Sequence, residues 1–208
     1  MAKQINDSDE LIRLAASGDG DARDALMAKH RSRLKRMVRI RIHPRLQRRI
    51  DESDVVQEAL LDAAGRLDEY VGDQSVSFFL WLRQITTHKL IDLHRRHLGA
   101  ARRDVRHEVS LHGGWLPSAN SASLATQLLG GLTSPSAAAV KAETQQLVQE
   151  ALSSMDPIDR EVLALRHFEQ LSNGEAAKVL AISQSACSNR YVRALARLKQ
   201  LLPQFSGL

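Results

Sequence analysis

The sequence predicts an all-α fold with two helical domains joined by a flexible linker. Leucine and alanine recur at helical spacing along most of the chain, and the alternating β-branched runs that indicate strands are few. The stretch from Gly113 to Ala139 contains no charged residue and is dominated by Gly, Ser, Ala, Pro and Thr. This composition is typical of a linker that is too poor in large apolar residues to order itself. We therefore expect domains at 1–110 and 135–208, with the linker at 111–134.

The overall composition is that of a chain able to fold without cross-links. Hydrophobic residues make up 43% of the 208 positions, and the single cysteine excludes an internal disulfide framework. The first residues lack the order of a signal peptide, and no apolar run is long enough to span a membrane. We therefore expect a soluble, cytoplasmic protein without a membrane partner. The net charge of +5 is only a mild indication of an anionic partner.

The first domain begins with a short helix after Ser8, a turn at 18–21 and a long basic helix that ends at Pro44. The segment from Lys29 to Arg49 contains ten Lys or Arg and no acid. A second basic cluster comprises Arg95, Arg96, Arg102, Arg103 and Arg106. Such blocks suit a polyanion, and a solvated helix face remains the alternative for each.

The next helix begins near Ser53 and has two distinct faces. At 100° per residue its apolar face carries Val56, Ala59, Leu60, Ala63 and Leu67, which we interpret as core. The opposite face carries Asp54, Gln57, Glu58, Leu61 and Asp62. A leucine within an acidic and amide face favours a docking surface, and an ordinary exposed face is the alternative.

A polar loop at 70–76 precedes the fourth helix. That helix places Phe78, Trp81, Leu82 and Ile85 on one face and continues to Arg95 and Arg96. We interpret the aromatic residues as core, and a stacking platform for flipped bases is the alternative. The loop lies between two rigid helices, which is a usual position for recognition groups.

The second domain contains the clearest functional pattern. Asp156 and Pro157 form a helix start, Ser172 and Glu175 form a capping box, and Ser183 caps the last helix. Two short helices joined by a tight turn indicate a helix-turn-helix unit between about Asp156 and Leu202. The free face of the last helix carries the candidate DNA contacts, and a helical bundle with a basic exterior is the alternative. The pattern leaves open which residues of this face read bases.

Three segments resemble a known family, in family order. Residues 175–190, EAAKVLAISQSACSNR, are similar to region 4.2 of sigma factors; residues 54–58, DVVQE, resemble region 2.2; and residues 78–85, FFLWLRQI, with 90–93 and Arg95-Arg96, resemble regions 2.3 to 2.4. The chain is thereby identified as a member of the extracytoplasmic-function (ECF) group of the sigma-70 family, in its planctomycete-type subgroup.

The resemblance implies a transcription initiation factor that binds core RNA polymerase, through its β′ and β subunits, and promoter DNA. It assigns the face of Asp54, Gln57, Glu58 and Leu61 to the β′ clamp helices. It assigns the minus-10 element to Gly72, Asp73, Gln74, Ser75, His88, Arg95 and Arg96. It assigns the minus-35 element to Gln184, Ser185, Ser188, Asn189, Arg190, Arg193 and Arg197. The linker would run through the polymerase toward the RNA exit path, and an anti-sigma factor is a further partner to consider.

Three positions depart from the family pattern. Ala181 replaces a turn glycine, which costs about 1 kcal/mol if its φ is positive. Ser188 stands where lysine is common, and this removes one phosphate contact. Cys187 occupies the position of a packed valine, so we expect a buried small hydrophobe.

The strongest competing hypothesis is an ordinary helix-turn-helix regulator with a sensing or dimerising first domain. A polymerase-docking face on the third helix discriminates, since a regulator does not need one. His94 and His97 could share a metal ion, but no further ligand completes a site. Asp54 and Glu58 are paired carboxylates without a nucleophile or phosphate loop beside them. We therefore expect no catalytic residues, no metal and no cofactor.

Overall fold

The computed structural model describes residues 7–47, 49–98, 110–111, 114–115, 117–129 and 138–201. The helices are α1 (Asp7–Ala16), α2 (Gly20–Arg41), α3 (Glu52–Gly65), α4 (Leu67–Gly72), α5 (Phe78–Leu98), α6 (Ser121–Leu129), α7 (Ala138–Ser153), α8 (Pro157–Leu163), α9 (Asn173–Leu180) and α10 (Gln184–Leu201). Two-residue strands, β1 (Ser110–Leu111) and β2 (Gly114–Trp115), pair antiparallel. The all-α prediction is confirmed. Among the described helices, none has the length and apolar character needed to cross a membrane.

The first domain is built by α1 to α5 around the long helix α2. The Asp19 side chain caps α2 by accepting from the Ala22 N–H at 3.0 Å, and Asp51 caps α3 by accepting from the Ser53 N–H at 2.7 Å. These caps start the helices at the residues where the sequence changes from turn to apolar periodicity. The five residues predicted as the apolar face of the third helix are all buried: Val56, Ala59, Leu60, Ala63 and Leu67. Leu67 lies on α4, which begins after a break at Arg66.

The second domain is formed by α7 to α10. Asp156 accepts from the N–H groups of Ile158 and Asp159 at the start of α8, with Pro157 in the first turn, as predicted. Helix α8 continues as a π-helical turn at Ala164–Phe168. Buried residues from α8, α9 and α10 pack together, among them Val162, Ala177, Leu180 and Cys187. The predicted start at Ser134 and Pro135 lies outside the described residues.

Helix α6 corrects the prediction of a linker without structure at 111–134. Its Leu124 and Ala125 are fully buried, and they join Ile40 of the first domain and Val148 of α7 in one apolar cluster. A nine-residue helix is too short to be stable alone in water, so its order comes from this packing. Polar contacts also attach the segment to the first domain: the Asn120 N–H donates to the Ile40 carbonyl at 2.7 Å, and the Gln47 amide donates to Ser123 Oγ at 2.8 Å.

The two domains contact each other through apolar packing, in which Ile40 joins Leu163 and Phe168 in one buried cluster, and through arginines of the basic block. Arg33 donates to the carbonyls of Glu169 and Gln170 at 2.6 and 2.7 Å, and Arg36 donates to the Phe168 carbonyl at 3.2 Å. These carbonyls end the helix formed by α8 and its π turn, where the helix dipole is negative and cations are favoured. Arg33 and Arg36, two of the ten basic residues of the block, therefore contact the second domain. Arg48 and the basic residues at 102, 103 and 106 lie outside the described residues.

Candidate functional site

The polar face of α3 is exposed, as the sequence predicted. Asp54, Gln57 and Glu58 are exposed, and Leu61 is 67% exposed, the highest value among the large hydrophobic residues described as exposed. Val56 and Ala63 on the opposite side are fully buried, so the helix cannot rotate without losing its core. The result is a rigid, acidic surface with an apolar side chain at its centre, which suits a protein partner.

The predicted loop at 70–76 is shorter in the structure, because helix α4 continues to Gly72; Asp73, Gln74 and Ser75 lie on the surface between α4 and α5. The Asp73 carboxylate accepts from the Ser75 N–H at 3.1 Å, which closes an Asx turn. The Tyr70 hydroxyl donates to the Val76 carbonyl at 3.3 Å and holds the end of the loop. The loop backbone is thus braced while the Gln74 side chain remains exposed.

An aromatic cluster supports this loop from below. The rings of Tyr70, Phe78 and Trp81 lie 5.0 to 5.5 Å apart between centroids. Tyr70 and Phe78 are buried, and Trp81 is half-buried. This packing favours the core interpretation over a platform for flipped bases.

On α5, His88, Arg95 and Arg96 are exposed. His94, next to them, is buried, and its Nε2 accepts from the His43 N–H at 3.2 Å. Burial, and then the charge of His43, lower the pKa of His94 to about 4. His94 is therefore a neutral structural acceptor at ordinary pH. No group of three or more His, Cys, Asp or Glu suited to a metal ion occurs within the described ranges.

The helix-turn-helix has the local geometry that its sequence predicts. The Ser172 hydroxyl accepts from the Glu175 N–H at 3.2 Å, and the Glu175 carboxylate accepts from the Ser172 N–H at 2.9 Å. Ala181 has φ 50° and ψ 45°, the left-handed conformation that usually requires glycine. Ser183 Oγ accepts from the Ala186 N–H at 3.1 Å and caps α10. Cys187 is fully buried, as predicted.

The outer face of α10 divides into free amides and engaged arginines. Gln184, Ser185, Ser188 and Asn189 are exposed at its beginning. The three arginines are instead tied to α8 and to the turn before it, a feature that the sequence reasoning missed. Arg190 donates to Asp159 at 2.6 Å, Arg193 to both oxygens of Asp159 at 3.0 and 3.1 Å, and Arg197 to the Ser154 carbonyl at 3.3 Å.

Asp159 therefore positions two candidate DNA contacts. Burial alone would raise the pKa of Asp159, but hydrogen bonds from Arg193 and Arg190 outweigh it, and the pKa is lowered. Arg190 is partly buried against this carboxylate, whereas Arg193 stays mostly exposed. The prediction of a wholly free basic face is thus wrong for Arg190. The available signal was an acid directly after the helix start at Asp156 and Pro157, on the neighbouring helix.

Comparison with known proteins matches both domains to one family. Residues 26–98 match Sigma-70 region 2, and residues 145–198 match Sigma-70, region 4. The chain is 32% identical over 192 residues to RNA polymerase sigma factor NccH of Alcaligenes xylosoxydans xylosoxydans, and the match covers 92% of each chain. It is 28% identical over 199 residues to ECF RNA polymerase sigma factor SigD of Mycobacterium bovis, covering 96% of this chain and 85% of the relative. The solved structure of CnrH in complex with the cytosolic domain of CnrY matches with a TM-score of 0.57 and 27% identity, covering 97% of this chain and 100% of CnrH.

Proposed function

Since the chain belongs to the ECF group of the sigma-70 family and is a promoter-directing transcription initiation factor, we propose which of its surfaces bind RNA polymerase and which bind the promoter. The exposed α3 face carries the polymerase proposal: Asp54, Gln57, Glu58 and Leu61 dock on the clamp helices of the β′ subunit. An acidic surface on a chain of net charge +5 is repelled by DNA, and this supports a protein partner for it.

The minus-10 element is the proposed ligand of the braced loop and the exposed side of α5. Gly72, Asp73, Gln74 and Ser75 surround a base extruded from the opened strand, Arg95 and Arg96 neutralise the neighbouring phosphates, and His88 contacts the same strand. Strand opening is then driven by capture of the unstacked base, and the protein makes or breaks no covalent bond.

The minus-35 element is the proposed ligand of α10 in the major groove. The exposed amides and hydroxyls of Gln184, Ser185, Ser188 and Asn189 are suited to base edges, and Arg193 and Arg197 are suited to phosphates. The position of Arg190 on this face is fixed by its hydrogen bond to Asp159. We also propose domain boundaries at 1–110 and 135–208. The linker runs through the polymerase toward the RNA exit path, and the second domain lies near the β subunit.

Three further assignments follow from the same reasoning. The long uncharged linker supports the planctomycete-type subgroup. The cytoplasm is the proposed compartment because RNA polymerase works there. The solved structure of CnrH contains the cytosolic domain of CnrY, which supports an anti-sigma partner for this chain as well.

The polymerase-docking proposal is tested by the double variant Gln57→Ala with Glu58→Ala. We expect its affinity for core RNA polymerase to fall at least about tenfold while its helical content stays unchanged. The matched control is Asp9→Ala with Glu10→Ala, which removes two exposed acids from α1. Association is measured by competition for core enzyme. If the α3 variant binds as tightly as the parent, the docking surface lies elsewhere on the chain.

A reconstituted transcription assay separates this function from that of an ordinary helix-turn-helix regulator. We expect core RNA polymerase loaded with this chain to select specific start sites, while the chain alone binds promoter duplex poorly. Tight operator binding by the chain alone, without start-site selection by the loaded polymerase, would favour the regulator.

A further inference from the structure

Arg41 contacts three parts of the chain at once. Its guanidinium donates to Glu161 and Glu169 of the second domain and, at 2.9 Å, to the Pro117 carbonyl of the linker. Glu161 also accepts from the linker N–H of Ala119 at 3.1 Å. The end of α2, the linker and the second domain therefore meet at one buried cation.

Four charged residues interact at this point, and we call them the Arg41 cluster: Arg41, Arg83, Glu161 and Glu169. All four are buried, and Glu169 has no exposed surface. Arg83 donates to Glu169 at 2.7 Å. Burial would raise the pKa of Glu169, but the charges of Arg41 and Arg83 outweigh it and the pKa is lowered. Glu169 is thus a carboxylate whose charge is compensated only while the domains are together.

The arrangement held by this cluster brings the two proposed DNA-reading sites close together. Ser77, which follows the minus-10 loop, donates to Glu175 of α9 at 2.7 Å. Asn173 of α9 donates to the carbonyl of Gln184, the first residue of α10, at 2.8 Å. Adding the reach of the intervening backbone and side chains, Gln74 and Gln184 lie within roughly 35 Å of each other.

A promoter requires a much larger separation. Elements centred about 25 base pairs apart are about 85 Å apart along a duplex that rises 3.4 Å per base pair. The conformation described here therefore cannot occupy both elements of one straight promoter. The domains must separate before the proposed function can operate, and separation breaks the Arg41 cluster.

We propose that the Arg41 cluster is an autoinhibitory latch shared by the linker and the second domain, so that a partner that draws the linker away also releases the second domain. The latch rests on the proposed function, because it matters only if both DNA-reading domains act on one promoter. The proposed path of the linker through RNA polymerase supplies such a partner. Docking on core enzyme and opening of the DNA-reading surfaces are then one coupled event.

The charged part of the domain interface favours reversible closure, beside the apolar packing of Ile40 with Leu163 and Phe168 that holds the domains together. Desolvation opposes burial of the four charges, and they regain water when the domains separate, so a buried charge group adds specificity with little net stability. One donor, Arg83 Nη2, is buried without a hydrogen-bond partner, which further weakens the closed state. A purely apolar contact of the same size would not gain this solvation on opening.

The first test measures the distance between the domains in the full chain. Donor and acceptor dyes are attached at Ala25→Cys on α2 and Lys178→Cys on α9, both exposed, in a Cys187→Ala background. Energy transfer is followed during a urea titration, with circular dichroism recorded in parallel. We expect Glu169→Gln to shift the ratio of open to closed molecules at least about tenfold toward open, so that transfer is lost at lower urea while helicity persists.

The matched control is Glu69→Gln, which removes one carboxylate from an exposed ion pair with Arg66 inside the first domain. We expect this variant to follow the parent protein. Low energy transfer in the parent protein without urea would overturn the latch. So would a Glu169→Gln variant whose domains separate at the same urea concentration as those of Glu69→Gln.

The second test addresses the linker. Leu124→Asp places a charge at a fully buried position of α6, whereas Thr126→Asp places it on the exposed side of the same helix. We expect Leu124→Asp to open the domains as Glu169→Gln does and Thr126→Asp to leave them closed. Domains that remain closed in Leu124→Asp, after the linker has become accessible to a protease, would refute the shared anchor.

A functional measurement distinguishes failure of the latch from failure of the proposed function. Without polymerase, Glu169→Gln is expected to bind a promoter duplex several-fold more tightly than the parent, and its loaded polymerase to select the same start sites. If the parent selects no start sites, the proposed function fails, whatever the energy transfer shows. If the parent selects start sites and Glu169→Gln binds duplex no better, the latch is refuted.

Discussion

The left-handed backbone of Ala181 provides a direct test of the turn between α9 and α10. The Ile182 N–H donates to the Ala177 carbonyl and the Ala181 N–H to the Lys178 carbonyl, at 3.1 and 3.2 Å. These two bonds form a Schellman motif, in which the residue at the position of Ala181 has positive φ. We predict that Ala181→Gly stabilises the protein, although glycine usually weakens a fold.

The magnitude follows from two opposing contributions. An L-residue in the left-handed region costs roughly 1–2 kcal/mol, and glycine removes this cost. Glycine also increases the entropy of the unfolded chain, which returns about 0.4–1 kcal/mol. The net gain is therefore about 0.5–1 kcal/mol, which raises Tm by about 1–4 °C for a chain of this size.

The assay is paired urea and thermal unfolding of Ala181→Gly and Ala196→Gly. Ala196 is exposed within α10, where the same chemical change should cost about 1 kcal/mol because the backbone is helical. The two substitutions are thus expected to have opposite signs. If Ala181→Gly destabilised the protein as much as Ala196→Gly does, the turn would not have the conformation described here.

Two further predictions concern buried groups that can gain or lose a proton. His30 and His94 both have pKa values lowered to about 4, in each case first by burial, and an unfolded histidine titrates near 6.5. The unfolded chain therefore binds more protons than the folded one between pH 6.5 and 4, so the free energy of unfolding should fall as pH is lowered through this window. The slope is at most about 1.4 kcal/mol per pH unit for each histidine; His94→Gln should flatten it in urea titrations at successive pH values, and an unchanged slope would show that His94 is not the group responsible. Asp159→Asn should free Arg190 from a charged partner and add about one phosphate contact, steepening the plot of log K for promoter binding by the loaded polymerase against log salt by about 0.9. An unaltered slope would mean that Arg190 does not reach a phosphate after its release from Asp159.

The local features of the DNA-reading domain could be predicted from the sequence because each depends on near neighbours. The capping box joins Ser172 and Glu175, three residues apart. The αL position of Ala181 follows from the end of one helix and the start of the next. The exposed face of α3 follows from 100° periodicity, since Val56 and Ala63 define the buried side. How these surfaces engage polymerase and DNA stays a prediction.

Other features depended on distant partners. Helix α6 lies in a stretch without charge and with few large residues, and only its docking on Ile40 and Val148 makes it a helix. Arg190 and Arg193 seemed free because their partner, Asp159, lies 31 and 34 residues away on another helix.

By itself, the sequence determined the long helices, their caps, the two-domain pattern and the family, because these are encoded in short-range periodicity and in contiguous motifs. Only the tertiary structure decided that the domains are closed on each other. Arg41 is one of ten basic residues in its block, with nothing local to distinguish it from its neighbours. Its carboxylate partners lie 120 and 128 residues away. A buried charge has meaning only through the opposite charges that surround it, and folding alone brings them together.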